Sequence, residues 1–135
     1  MEIEQLFPIG LAKEQSFIVQ EEHTALHLGS GSLRVLATPA MIGFMEQTAR
    51  DLMAERLPAG SSSVGVLVHV RHLAPTPVGA EVKVRAEVLS VDGLKVTFRV
   101  QAWDPLEIAG EGQHERVVID EQRFLSRVTA KLGTA

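Results

Sequence analysis

The fold is decided by residues 37–57, which read ATPAMIGFMEQTARDLMAERL. Threonine is a preferred N-cap of helices and proline suits the first helical position, so Thr38-Pro39 predicts the start of a helix. The helix should run to about Leu57, because a Pro-Ala-Gly sequence follows it. Its first three turns are apolar on most sides, and charges become frequent only from Arg50 onward. Such a helix is expected to be buried at its N-terminal end.

The segments after this helix alternate between apolar and other residues with period two, which is typical of antiparallel strands. The first segment would place five residues in one inward row: Val64, Val66, Val68, Val70 and His72. Further strands are predicted at residues 82–88, 94–102 and 108–119, with a tight hairpin at Asp92-Gly93. Ahead of the helix, the sequence predicts a strand at 14–20, a loop at 27–32 (HLGSGS) and an extended piece at 33–36.

A second helix is predicted at the C-terminal end of the chain. Asp120 can cap a helix of about 12 residues that stops at Gly133. Its apolar face would consist of Phe124, Leu125, Val128 and Leu132. Together these elements predict an α+β fold in which one antiparallel sheet curls around a long central helix, in a single domain over residues 1–135. The open edges of such a sheet are often paired between subunits.

The composition excludes several classes of function. Apolar residues make up 45% of the chain and charged residues 22%, and the net charge of −4 argues against general binding to nucleic acid or anionic membranes. The chain contains no cysteine, so a disulfide, a thiolate nucleophile and a cysteine metal site are excluded. We find neither a secretory signal nor an apolar stretch of about 18 residues, so a cytoplasmic location is expected. His69 and His72 point to opposite faces of a strand, so we do not expect a zinc site.

Three polar residues lie where the pattern predicts burial, and each has two interpretations. Thr38 either caps the helix alone or also holds a substrate atom at the positive helix end. Glu46 lies at the margin of the apolar stripe of the helix. It is either a partly exposed surface carboxylate, or a catalytic group that acts as general base or nucleophile. His72 continues an apolar row, as a hydrogen-bonded core histidine or as a group that moves a proton or orients a carboxylate near neutral pH.

A further candidate group lies on the last predicted strand. His114 and Arg116 share one face of it with Gly110 and Gly112. One interpretation is a strand face that is solvated or salt-bridged. The other is an arginine that binds phosphate beside open backbone space. A thioester that carries a nucleotide would need such a contact.

The spacing along the first helix limits how the candidates act together. Glu46 follows Thr38 by eight residues, which is about 12 Å along the helix axis. The two side chains of one chain therefore cannot easily form a direct hydrogen bond. Either the substrate bridges them, or the site combines residues of two subunits.

These residues resemble the fluoroacetyl-CoA thioesterase family of hot-dog proteins. The resemblance covers about residues 15–131 and is carried by these elements: Thr38-Pro39, Glu46 eight residues on, Gly65, the stretch Val70-Arg71-His72-Leu73 and Arg116. It implies a sheet of five or six antiparallel strands around a central helix, assembled as a homodimer or a dimer of dimers with active sites at the interface. It also implies hydrolysis of a short acyl-CoA thioester.

The resemblance assigns roles to five residues of this chain. Thr38, Glu46 and His72 would be catalytic, and Gly65 and Arg116 would bind substrate. No cofactor is implied, because CoA enters as part of the substrate. The family's fluoroacetyl-CoA enzyme has phenylalanines in the segment before the threonine, whereas residues 27–32 contain no aromatic residue here. The sequence therefore does not predict a hydrophobic lid or the fluoroacetyl selectivity that depends on it.

Two other functions fit the same fold. A hydratase or dehydratase would act on acyl thioesters with an acid–base pair and without net hydrolysis. A non-catalytic module would bind acyl-CoA tightly and release no thiol. Saturated acyl-CoAs separate these possibilities, because only a thioesterase frees CoA thiol from them.

Overall fold

A computed structural model describes residues 2–133 of the chain. In order, its elements are α1 (Ile3–Leu6), β1 (Ala12–Ile18), a 3-10 turn (Glu21–His23), α2 (Ala25–Leu28), α3 (Thr38–Ala54), β2 (Ser61–His72), β3 (Glu81–Asp92), β4 (Lys95–Trp103), β5 (Ile108–Asp120) and α4 (Glu121–Ala130). Within these residues, no helix has the length and hydrophobicity that crossing a membrane requires.

The five strands form one antiparallel sheet in the order β1-β3-β4-β5-β2. The sheet packs around α3, whose apolar side chains form the core together with the inward residues of β3 and β4. Burial alternates residue by residue along both of these strands, because successive side chains point to opposite faces. The predicted α+β fold, with a sheet around a long central helix and a C-terminal helix, is confirmed.

The start of α3 differs from the prediction in one respect. Ala37, not Thr38, occupies the N-cap position, and no side chain caps the helix there. Thr38 is the first helical residue, and its hydroxyl contacts His72 instead. The helix ends at Ala54, about one turn before the predicted end at Leu57.

A β-bulge changes the inward row of β2. Gly65 pairs with Arg116 and Leu67 pairs with Glu115, which leaves Val66 without a partner residue on β5. One extra residue shifts the alternation by one position, so Gly65 faces α3 before the bulge and the even-numbered residues face it afterwards. The predicted row is therefore right for Val68, Val70 and His72 and wrong for Val64, which pairs with Val117 on the outer face, whereas Val66 is the extra residue of the bulge.

The short elements before α3 lie close to their predicted places. β1 begins two residues earlier than predicted, and the predicted loop at 27–32 starts inside α2, which ends at Gly29 with φ +79°. In the predicted extended piece, Val35 and Leu36 form isolated bridges to other segments.

The C-terminal helix has the predicted cap but not a fully covered apolar face. The carboxylate of Asp120 accepts a hydrogen bond from the backbone N–H of Arg123 at 3.0 Å. Leu125, Val128 and Leu132 are exposed, which leaves Phe124 as the half-buried member of the predicted face.

Candidate active site

A threonine and a histidine meet at the N-terminus of α3. Oγ1 of Thr38 lies 2.7 Å from Nδ1 of His72, which is the last residue of β2. Nε2 of His72 is buried and has no hydrogen-bond partner within residues 2–133. Burial lowers the pKa of His72, a backbone contact with Ala74 offsets part of this shift, and the net effect favours the neutral ring. A neutral ring held through one nitrogen can exchange a proton through the other.

A cavity of about 360 Å³ adjoins this pair. Its walls come from α2, the segment before α3, and the end of β2 with the residues after it: Ala25, Ser30, Val35, Leu36, Ala37, Thr38, His72, Leu73, Ala74 and Pro75. The volume is within the range of pockets that bind small ligands. Thr38 and His72 therefore stand at a space large enough for a small ligand.

A second cluster forms around Gly65 of β2. A Cβ atom built on Gly65 would lie 2.8 Å from Oε2 of Glu46, 3.1 Å from Cε1 of His114 and 3.5 Å from Nη1 of Arg116. Glu46 is half-buried, which agrees with a partly exposed carboxylate and leaves both of its interpretations open. The absence of a side chain at position 65 thus makes room for the carboxylate beside the backbone of β2.

Arg116 is buried and held in place by hydrogen bonds. Its side chain is only 5% exposed, and Nε and Nη2 donate to the hydroxyl and the carbonyl oxygen of Ser63 at 2.9 and 3.0 Å. The predicted solvated strand face is therefore wrong, because this face of β5 points toward α3. A buried guanidinium needs nearby negative charge, and the carboxylate of Glu46 supplies it.

His114 completes the cluster, although the sequence did not assign it a role. It is 1% exposed, and its Nδ1 lies 2.9 Å from the carbonyl oxygen of Leu67. Its Nε2 lies 3.1 Å from Nη1 of Arg116. Burial lowers the pKa of His114, and the charge of Arg116 lowers it further. The only signal in the sequence was its position two residues before Arg116, on the same strand face.

The two glycines of β5 do not leave the open space that the sequence suggested. A Cβ on Gly110 would lie 2.4 Å from the sulfur of Met41, and a Cβ on Gly112 would lie 2.1 Å from the carbonyl oxygen of His69. Both positions are filled by neighbours, so the glycines serve close packing.

The candidate residues thus fall into two clusters in one chain. Thr38 contacts His72, whereas Glu46 lies with Gly65 and Arg116. His69 lines the outer face of the sheet, opposite to His72, and residues 2–133 hold no cluster of His, Asp or Glu side chains placed to bind a metal.

The fold and these clusters define a class of protein, a hot-dog domain of the thioesterase type. The solved structure of a hot-dog-like protein from Thermanaerovibrio acidaminovorans matches with a TM-score of 0.92 and 30% identity, covering 100% of both chains. A solved structure of a fluoroacetyl-CoA thioesterase matches with a TM-score of 0.87 and 35% identity, covering 93% of this chain and 97% of that one.

Sequence comparison identifies the family. The fluoroacetyl-CoA thioesterase of Streptantibioticus cattleyicolor is 36% identical over 129 residues, which cover 91% of this chain and 93% of that protein. The model of the fluoroacetyl-CoA-specific thioesterase family matches residues 19–122. The chain belongs to this family. The predicted resemblance and the predicted enzyme class, an acyl-CoA thioester hydrolase, are confirmed.

Proposed function

We propose that the protein hydrolyses CoA thioesters of small acyl groups in a site formed between two subunits. The observation that carries the proposal is the buried Nε2 of His72, which has no partner at hydrogen-bond distance within residues 2–133, although the backbone of Ala74 lies close enough to influence the ring. Buried polar atoms are almost always hydrogen-bonded. We infer that the missing partner belongs to the substrate or to a second subunit.

The edge of the sheet supports a dimer. β2 is an edge strand, and at its bulge Val66 and Leu67 are 54% and 43% exposed. An exposed apolar edge is a surface on which another strand can pair. A second copy of β2 fits best, because it presents the same apolar centre and the pairing closes about a twofold axis.

Such a pairing would join the two clusters. If two β2 strands run antiparallel about an axis between Val68 and His69, His72 lies opposite Gly65 of the partner subunit. The Thr38–His72 pair of one subunit would then face Glu46 of the partner subunit. This arrangement would resolve the separation of Thr38 and Glu46 along α3.

In the proposed reaction, the oxygen of water bonds to the thioester carbonyl carbon, the carbon–sulfur bond breaks, and free acid and CoA thiol are released. Glu46 takes the proton of the attacking water, or its carboxylate attacks first and water hydrolyses the resulting anhydride. His72 orients Glu46 or gives a proton to the leaving thiolate. Thr38, the N-terminus of α3 and the backbone near Gly65 hold the carbonyl oxygen. These steps need no cofactor beyond the CoA of the substrate.

The cavity at Thr38 suggests the size of the acyl group. Small residues from α2 and the loop after it line one wall, and residues 27–32 contain no aromatic side chain to close it. We therefore propose a short acyl chain without selectivity for fluoroacetyl. We propose that Arg116 acts on Glu46 and does not bind the substrate phosphate, because three of its N–H groups already bind Ser63 and His114. Because acyl-CoA is an intracellular metabolite, the proposed location is the cytoplasm.

A thiol-release screen tests the activity. The chain contains no cysteine, so a thiol reagent would report only the CoA that hydrolysis frees from acetyl-, butyryl- and longer saturated acyl-CoAs. Glu46→Gln should lower kcat by about 10²–10⁴-fold, the usual contribution of a general base. Unchanged turnover in this variant would remove Glu46 from the chemistry, and binding without thiol release would indicate a non-catalytic module.

Mixed dimers test the shared site. Glu46→Gln and His72→Ala homodimers should both be inactive. A heterodimer of the two variants would contain one complete site if His72 of one chain acts with Glu46 of the other. It should then recover about half of the wild-type rate, because one of its two sites keeps both residues and the other has lost both. A heterodimer as inactive as its parents would place the whole site in one chain.

A further inference from the structure

His114 is connected to β2 on both sides of Gly65, the residue next to Glu46 in the proposed site. Through Nδ1 it contacts the carbonyl oxygen of Leu67, the first residue in register after the bulge. Through Nε2 it contacts Arg116, whose other nitrogens donate to Ser63. Ser63 and Leu67 flank Gly65 on β2. The two side chains of β5 therefore hold β2 on either side of the residue that faces Glu46.

The hydrogen-bond partners define the state of this ring. A carbonyl oxygen can only accept, so Nδ1 of His114 must carry a proton. An arginine nitrogen can only donate, so Nε2 must accept. One neutral tautomer satisfies both contacts, whereas protonation would place an N–H of the ring against an N–H of Arg116. The ring is fully enclosed, so no water is available to replace either partner.

We propose that His114 is a positioning residue of the thioesterase, which as a neutral Nδ1–H ring fixes the bulge of β2 and orients Arg116 beside Glu46. This inference rests on the proposed function of Glu46. Both ring nitrogens of His114 are engaged by protein groups, so it acts through these two neighbours. The Leu67 contact sets the backbone near Gly65, and the Arg116 contact fixes the guanidinium whose charge interacts with Glu46.

Two nearly isosteric variants separate these contacts. His114→Asn keeps an amide donor at the place of Nδ1 and loses the contact to Arg116. His114→Gln keeps an acceptor at the place of Nε2 and loses the contact to Leu67. We expect each variant to fold and to lower kcat by roughly tenfold or more, while KM changes by less than about threefold, since each loses one bond that positions the reacting groups. Gln113→Asn, on the outer face of the same strand, is the matched control.

The experiment measures thiol release from acetyl-CoA and butyryl-CoA, with thermal melting of every variant alongside. Wild-type kcat in both His114 variants would overturn the inference, as would a fall in kcat that only follows the loss of folded protein. A wild-type protein that releases no thiol from any acyl-CoA would instead refute the proposed function, and the inference with it.

A spectroscopic readout is independent of turnover. The ¹⁵N shifts of His114, assigned by comparison with His114→Gln, report which nitrogen carries the proton. We expect the neutral Nδ1–H tautomer at pH 7. An Nε2–H tautomer or an imidazolium at this pH would overturn the arrangement even in a fully active enzyme.

Discussion

Replacing Gly65 with alanine should separate catalysis from stability. A Cβ atom at this position would lie 2.8 Å from Oε2 of Glu46, whereas non-bonded contacts are normally near 3.5 Å, so the carboxylate would have to move by roughly 0.7 Å. A misplacement of about 1 Å in a reacting group can cost 10²-fold in rate. We therefore expect Gly65→Ala to lower kcat by about 10- to 100-fold.

The stability of Gly65→Ala should change much less than its activity. The nearest obstacle to the new methyl group is the end of the flexible Glu46 side chain, and φ of Gly65 is not positive. The second obstacle is Cε1 of His114 at 3.1 Å, which would have to move by a few tenths of an ångström. Alanine also reduces the conformational freedom of the unfolded chain, which stabilises compatible sites by about 0.4–1 kcal/mol. The free energy of unfolding of Gly65→Ala should thus remain within about 1 kcal/mol of wild type.

Two other glycines provide controls. A Cβ on Gly112 would lie 2.1 Å from the backbone oxygen of His69, so Gly112→Ala should unfold the sheet locally and lose stability and activity together. Gly43 is exposed on α3 and has no neighbour within 4 Å, so Gly43→Ala should gain about 0.5–1 kcal/mol.

The assay combines thiol release from acyl-CoA with urea unfolding of all three variants. If Gly65→Ala keeps wild-type kcat while its stability is unchanged, the position of Glu46 beside β2 does not matter for the reaction. If Gly65→Ala loses stability as Gly112→Ala does, the Glu46 side chain does not move aside for the new methyl group as the structure indicates.

Three further predictions concern residues other than Glu46 and Gly65. Burial lowers the pKa of both His72 and His114, so the unfolded chain binds more protons than the folded chain below about pH 6.5. The Tm of the wild type should therefore fall between pH 7 and pH 5, and the Tm of His114→Gln should fall less over the same range. Identical pH profiles of Tm for the two proteins would contradict this prediction. Asp120→Ala removes the cap of α4 and should cost about 1 kcal/mol in chemical denaturation, with Asp120→Asn near wild type. Leu67→Lys places a charge on the edge of β2 and should turn the proposed dimer into an inactive monomer by light scattering; an active monomer would refute the shared site.

The central helix and the alternating strands were predictable because their signals are local. Each depends on the spacing of apolar residues within one element, and β3 shows this most clearly, since its burial alternates as its sequence does. The hairpin near Gly93 could be placed from turn-forming residues alone, whereas α3 ends one turn before the position that Pro58 suggested.

The bulge of β2 was not predictable in this way. Val66 continues the run of alternating valines, and only the pairing with β5 shows that it is an extra residue. Thr38 was also not predictable from local sequence. Its sequence context is that of an N-cap, but its hydroxyl contacts His72, which lies 34 residues away. Contacts between distant segments decide both cases.

The candidate site was predicted as a set of residue identities, not as an arrangement. Glu46 and Arg116 could be named from type and spacing, but their shared closeness to Gly65 required the three-dimensional structure. His114 carried a weaker signal still, because a histidine on a strand has many uses and its two partners come from different strands.

The irregular edge of β2 also sets a limit on assembly. One edge of the sheet exposes apolar residues around a bulge, while the other edge, β1, is only seven residues long and has Lys13 engaged with Glu55. A twofold pairing would bury the β2 edge of both copies, and only the two short, charged β1 edges would remain exposed. The sheet would then stop growing at ten strands, so the same irregularity that shapes the site would favour a finite particle over an open fibre.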